Sequence, residues 1–314
     1  MKILITGAGG FVGKYLIKEL QKDSSNDIFG AVFRSTSDIA SLLSPDHTIE
    51  GDLSDLSFAS DLIKRSNPDV IYHLAALSVV GSSVENAVSV MNSNTTISYN
   101  LLESVRLYAQ KARVIAISSG NVYGAVKEPN VKINESVPLR PLNPYAVSKV
   151  SQEMLALMYH LAYGQDIVIS RPFNHTGIGQ TTEFVIPSLA AKFAKIEKGE
   201  LSPVIEVGNL DSVRDFTDVR DMVIAYTQAA KSGISGEIYN IGSGLGHTIK
   251  EVLDIFQSLS MTKVEIKVSE GLLRTADVPA LISDSSKFSA LSHWKPKIDL
   301  KDTISDILNY YRGI

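Results

Sequence analysis

Tyr145 and Lys149 stand four residues apart, directly behind Asn143-Pro144. Asn143 is a good helix N-cap and Pro144 suits the first helical position, so a helix is expected to start here. Phenol and amine then lie one above the other on one helical face. A nearby ammonium favours phenolate and would bring Tyr145 below the ordinary tyrosine value of about 10. A phenol tuned that way can deliver a proton to a carbonyl oxygen while hydride reaches the carbon. A helical Tyr and Lys at this spacing are ordinarily an exposed pair. Here an apolar run, Val114–Ser118, precedes them and ends in Ser118-Ser119-Gly120-Asn121-Val122-Tyr123-Gly124, which makes a chance pairing a poor explanation.

Hydride chemistry needs a carrier, and the chain begins with a place for one. The apolar run Lys2–Thr6 leads into Gly7-Ala8-Gly9-Gly10-Phe11-Val12-Gly13 and then a helical pattern. Strand, glycine turn and helix in this order form the dinucleotide-binding arrangement: residues without a β-carbon let phosphate approach, and free amides at the helix start bind the pyrophosphate. The second strand ends Ala31-Val32-Phe33-Arg34-Ser35. An NAD site usually has Asp or Glu there for the ribose 2′-hydroxyl. This chain has an arginine instead, whose guanidinium forks phosphate oxygens, so Arg34 favours the 2′-phosphate of NADP(H), with NAD(H) still possible.

The elements that must position these groups alternate. Strands are expected at Ile3–Thr6, Ile28–Phe33, near Thr48–Glu50, and at Val70–His73, Val114–Ser118 and Ile167–Arg171. Helices are expected at Phe11–Gln21, Asp55–Ser66, Val84–Gln110 and Tyr145–Tyr163. Alternation of this kind argues for an α/β fold, a doubly wound parallel sheet. After Arg171 the punctuation by Pro172, Gly177, Gly179, Pro187 and Pro203 marks a looser region. The expected division is a cofactor-binding domain over 1–171, rejoined near 218–241, and a smaller C-terminal substrate lobe over 172–314. The 314 residues are 44% hydrophobic and 20% charged, an ordinary globular profile, with net charge −4. No global positive field recruits nucleic acid or membrane, so an anionic substrate must be held by local arginines and backbone amides. The absence of cysteine removes disulfides, thiolate metal sites and cysteine nucleophiles. No apolar run approaches the length of a membrane span, and a cytoplasmic location is expected.

The spacing Gly7, Gly10, Gly13 and the segment Asn143–Lys149 together resemble the extended short-chain dehydrogenases/reductases, whose fold is of Rossmann type. The resemblance implies that Ser119 is the catalytic hydroxyl beside Tyr145 and Lys149, holding the substrate oxygen. It also implies cofactor contacts from Phe11 and Val12 in the turn, from Asp52 and Leu53 at the adenine, and from Leu74, Ala75 and Ala76 along the diphosphate and ribose. Asn94 matches a structural asparagine. For the substrate it implies Ser78, Gly120, Asn174, Phe184 and Val185, with Arg214 and Arg274 on the diphosphate and Asp277 on the nucleotide ribose. His175 is better read as a backbone-bonded structural histidine than as an acid or base, and Arg220 equally well as a surface ion pair.

Neighbouring residues narrow the chemistry. The 4,6-dehydratases of this superfamily carry an acidic residue just after the catalytic hydroxyl, where this chain has Gly120 and Asn121. Relatives that epimerise at C3 and C5 use a cysteine, which this chain lacks. Across Ser118–Val126, Asn143–Lys149, Arg171–Gln180 and Val207–Asp221 the chain is similar to reductases of GDP-4-dehydro-6-deoxy-D-mannose that form GDP-D-rhamnose. One departure is Arg274-Thr275-Ala276-Asp277, where GDP-sugar relatives often read Arg-Pro-x-Glu. The implied reaction is NADPH-dependent reduction of the C4 ketone of a GDP-linked 4-keto-6-deoxy sugar. The rivals are a GDP-6-deoxy-D-talose-forming reductase, a sugar-nucleotide 4-epimerase with tightly held NAD, and a non-catalytic NADP sensor. The resemblance also implies a homodimer through the helices at 84–110 and 145–163.

Overall fold

The computed structural model describes residues 1–33, 37–77, 87–124, 126, 131–272 and 278–314. In chain order its elements are β1 (Lys2–Thr6), α1 (Phe11–Leu20), β2 (Asp27–Val32), α2 (Ser37–Ala40), β3 (Thr48–Glu50), α3 (Leu56–Ser66), β4 (Val70–His73), α4 (Ala87–Tyr108), β5 (Arg113–Ile117), α5 (Pro144–Tyr163) and β6 (Ile167–Pro172). There follow β7 (Asn174–Thr176), α6 (Val185–Glu197), β8 (Val204–Val207), β9 (Val213–Asp218), α7 (Val219–Ser232), β10 (Ile238–Ile241), β11 (Gly246–Thr248), α8 (Ile249–Leu259), β12 (Glu265–Val268), β13 (Ala280–Leu281), α9 (Ser286–Ser292) and α10 (Leu300–Gly313).

Seven parallel strands form one sheet in the order β10-β6-β5-β4-β1-β2-β3. Both faces of this sheet are covered, which is why its strands read as unbroken apolar runs: every residue of β4 and β6 is buried. Alternate side chains serve opposite cores. Ile3 and Ile5 pack with Leu16 and Ile17 of α1 and Val219 and Met222 of α7, while Leu4 packs with Leu62 of α3, Leu101 of α4 and Ala156 of α5. Strand order reverses between β1 and β4, so a crevice opens at their carboxyl ends, the usual ligand site of such sheets.

Helix α5 is fixed at both ends. The Asn143 side chain accepts from the Ala146 amide at 2.8 Å with Pro144 at the first position, and Gly164 closes the helix in the left-handed conformation at φ +67. After β6 the chain builds a smaller sheet, β11-β9-β13 with β7 on β9, and a separate β8-β12 pair. A further core fills the space between α6, α8 and α10, where the Phe193 and Phe256 rings stack with centroids 5.2 Å apart. Between these pieces α7 and β10 return to the large sheet, β10 lying parallel to β6. Among the described residues no helix is long and apolar enough to cross a membrane.

Candidate active site

A cleft of about 800 Å³ opens at the reversal of strand order, a volume suited to a cofactor-sized ligand. Gly7, Gly9, Gly10, Phe11, Val12 and Gly13 line one side, and Leu74, Ala75 and Ala76 continue it. Two glycines are required by geometry. Gly7 sits at φ +70, and a β-carbon there would come within 2.9 Å of the Ala75 amide; one on Gly13 would come within 2.5 Å of the Ala8 carbonyl oxygen. The turn thus presents bare backbone, the surface a pyrophosphate needs.

A buried polar web beneath this turn ties it to α5. Thr6 Oγ1 lies 2.9 Å from His73 Nδ1 and accepts from the Ala75 amide at 3.3 Å. Burial, reinforced by the charge of Lys149, pushes His73 down to about 3, so it stays neutral. Asn94 accepts from the Leu77 amide and donates to Ser148 Oγ at 2.9 Å, joining the end of β4 to the catalytic helix.

Ser119, Tyr145 and Lys149 come together in the lining of the same cleft. Ser119 caps a short 3₁₀ turn over Gly120–Tyr123, its hydroxyl accepting from the Asn121 amide at 3.2 Å, and it is near enough to the Tyr145 phenol to favour its ionised form. Lys149 donates to the Ile117 carbonyl at 2.7 Å and to Gln152 Oε1 at 2.8 Å, with its nitrogen 6.0 Å from the Tyr145 ring centre. The expected lowering of the Tyr145 phenol by Lys149 is not what the structure gives. Burial pushes Tyr145 up to about 12, and only the Ser119 hydroxyl pulls against it. Burial also pushes Lys149 down to about 7, opposed by the charge of Glu153. Both shifts have one physical cause: the two groups sit out of water, and desolvation disfavours phenolate and ammonium alike. A phenol that remains protonated at neutral pH is the form a proton donor needs.

Behind the triad lies a buried ion pair. Glu153 accepts from Ser118 Oγ at 2.5 Å and from Arg171 through Nε at 2.9 Å and Nη2 at 2.6 Å. Arg171 Nη1 donates to the Tyr123 hydroxyl at 2.8 Å, which in turn donates to Asn240. These bonds clamp α5 to the ends of β5 and β6.

The remaining expected residues divide. Gly120, Asn174 and Phe184 line the cleft. Val185 opens α6 behind Phe184 without lining the cleft. Asp52 accepts from the Ser54 amide, Leu53 is buried, and neither lines the cleft. Arg214 also stands outside it, with Nη1 donating to the Val213 and Val278 carbonyls at 2.9 and 2.7 Å. Arg34, Ser78, Arg274 and Asp277 fall outside the described residues. His175 Nδ1 lies 3.1 Å from the Phe173 carbonyl, and its ring stacks parallel to Phe11. Arg220 pairs with Asp218 and Asp306. The cleft adds Ile117, Asn121, Phe173, Gln180, Thr181, Glu183, Tyr226 and Leu281. Most of these adjoin recognisable motifs; Tyr226, inside an apolar helical pattern, carried no signal.

A glycine turn at the switch point of a parallel sheet, with Ser119, Tyr145 and Lys149 converging on the same cleft, defines a short-chain dehydrogenase/reductase, an oxidoreductase class. Residues 4–307 match the model of the GDP-mannose 4,6 dehydratase family, and the chain belongs to that family. It is similar to the GDP-6-deoxy-D-mannose reductase of Pseudomonas aeruginosa, at 31% identity over 98% of this chain and 96% of that protein. It is also similar to the GDP-6-deoxy-D-talose 4-dehydrogenase of Aggregatibacter actinomycetemcomitans, at 34% identity over 91% and 90%. Among solved structures, RMD from Pseudomonas aeruginosa complexed with NADPH superposes with a TM-score of 0.88 at 30% identity, covering 100% of this chain and 99% of that one. UDP-glucose 4-epimerase of Thermus thermophilus complexed with NAD gives 0.85 at 26% identity, with the same coverage.

Proposed function

We propose that this protein reduces the C4 ketone of GDP-4-dehydro-6-deoxy-D-mannose with NADPH, forming GDP-D-rhamnose. The observation that carries the reading is the convergence of Ser119, Tyr145 and Lys149 on the same cleft that the glycine turn lines. The names of the two relatives and of the NADPH complex support the substrate and cofactor. Gly7, Gly10, Phe11, Val12 and Gly13 would hold the pyrophosphate, Leu74–Ala76 the ribose side, and Arg34 the 2′-phosphate. Residues 1–171 with 218–241 are assigned to cofactor binding and 172–314 mainly to the substrate.

NADPH supplies the hydride that reaches C4. Tyr145, protonated at neutral pH, gives its proton to the C4 oxygen, and Ser119 donates to the same oxygen as its charge develops. One such preorganised donor contributes on the order of 10²–10³ in rate. Lys149 supports the phenolate left behind, and Glu153 favours the charged form of that lysine. Gly120 and Asn121 offer no carboxylate for the proton transfers of a 4,6-dehydratase. Asn174 and Phe184 would face the sugar nucleotide, with Ser78, Val185, Arg214, Arg274 and Asp277 as the further substrate contacts that the resemblance implies. A homodimer through α4 and α5 would cover exposed Val88, Met91, Met154, Met158 and Leu161.

The test is incubation of the protein with NADPH and GDP-, dTDP- or CDP-linked 4-keto-6-deoxy sugars, with product identification. GDP-D-rhamnose supports the reading. GDP-6-deoxy-D-talose supports the opposite C4 configuration, which the similarity to the talose 4-dehydrogenase favours as a second reading. NADPH left unconsumed with every substrate would overturn both.

A further inference from the structure

Gln152 stands three residues after Lys149 on α5, and the two are 2% and 3% exposed. Gln152 does not line the cleft; its amide oxygen lies 2.8 Å from Lys149 Nζ. An ammonium can only donate, so the oxygen must face the lysine and the amide nitrogen must face away. There Gln152 Nε2 is buried without a hydrogen-bond partner. A methionine of similar length would fill the space without that penalty. The amide is therefore explained by what its oxygen does for Lys149.

Lys149 has two direct acceptors, the Ile117 carbonyl of β5 at 2.7 Å and Gln152 Oε1, and both are neutral. Among the described residues, the charged and titratable groups around it make no hydrogen bond to it. Glu153 on α5 favours the ammonium through its charge but gives its oxygens to Ser118 and to Arg171 of β6. His73 of β4 stays neutral, and Tyr145 on α5 stays a phenol. Burial meanwhile holds the amine down to about 7, so near neutral pH the loss of one acceptor decides its charge. On the hydride-transfer reading above, on which this inference rests, that charge supports the phenolate left on Tyr145. We propose that Gln152 is a positioning residue of this reaction, whose amide oxygen fixes the Lys149 amine at the end of β5 and sustains its ammonium form.

The test follows Lys149 directly, by NMR titration of full-length, cofactor-free protein carrying isotope-labelled lysine. The signal missing from Lys149→Arg identifies the residue. Gln152→Met removes the acceptor and should lower the Lys149 titration midpoint by about one to two pH units, the effect of one hydrogen bond to a charged group. Gln152→Glu puts a carboxylate in its place and should raise the midpoint. Thermal melting establishes which variants fold, and either folded variant decides the question. The high-pH edge of kcat/KM for NADPH should move with the titration. A Lys149 midpoint that stays at the wild-type value would leave Gln152 as packing alone and overturn the proposal. A titration that moves without the kinetic edge would overturn it too. Wild type that consumes no NADPH with any 4-keto sugar would overturn the hydride-transfer reading and the role of Gln152 in catalysis, whereas the titration would still report the contact.

Discussion

Replacing Glu153 by glutamine should cost the protein a large part of its stability. The Glu153 carboxylate is 0% exposed and the Arg171 guanidinium 3%, so neither can turn to water when its partner is lost. Glu153 accepts three hydrogen bonds, from Ser118 Oγ and from Arg171 Nε and Nη2. After Glu153→Gln the guanidinium stays charged and buried, keeping one amide oxygen and the Tyr123 hydroxyl as acceptors but losing its counter-charge. Breaking a buried pair in this way costs about 3–5 kcal/mol. At about 2–3 °C per kcal/mol for a chain of this size, the thermal midpoint should fall by roughly 6–15 °C. Changing both residues, Glu153→Leu with Arg171→Met, removes the uncompensated charge and should restore most of the loss. Calorimetry of the cofactor-free proteins is the assay. A midpoint within about 2 °C of wild type for Glu153→Gln, or a double variant less stable than the single one, would show that the buried pair does not hold α5 in place.

Two further outcomes follow from the same geometry. Lys149 is held near 7, so kcat/KM for the cofactor, which reports free-enzyme ionisations, should fall as pH rises through about 7 and the ammonium is lost; Tyr145, near 12, should add no step below that. Lys149→Arg keeps its charge and should remove the edge, whereas a wild-type profile flat to about pH 9 would contradict the assignment. Gly13→Ala places a β-carbon 2.5 Å from the Ala8 oxygen and 2.6 Å from the Gly7 oxygen. The turn must open, and NADPH affinity by fluorescence titration should drop by about tenfold or more.

Much of this was readable in the chain because it depends on local pattern. The glycine turn, the Asn143-Pro144 start of α5 and the buried strands β1, β4, β5 and β6 each leave a mark within a few neighbouring residues. What escaped depends on partners far apart in sequence. Glu153 and Arg171 give no sign of pairing until α5 packs on β6. Tyr226 reads as one more apolar position of a helix until α7 packs on the sheet and brings it to the cleft lining. Arg214 sits in a recognisable motif, but only the packing of β9 beside β13 shows its guanidinium turned to backbone carbonyls. The spacing of Tyr145 and Lys149 set their face of the helix but not their depth, and depth decides the direction of both pKa shifts.

In the proposed reaction the Tyr145 phenol is the source of the proton. The most direct measurement is the single-turnover rate of NADPH oxidation in Tyr145→Phe, taken with the NADPH dissociation constant of the same protein. A rate lower by about 10²–10⁴ with unchanged cofactor affinity is the expected result. A rate within about threefold of wild type would contradict it.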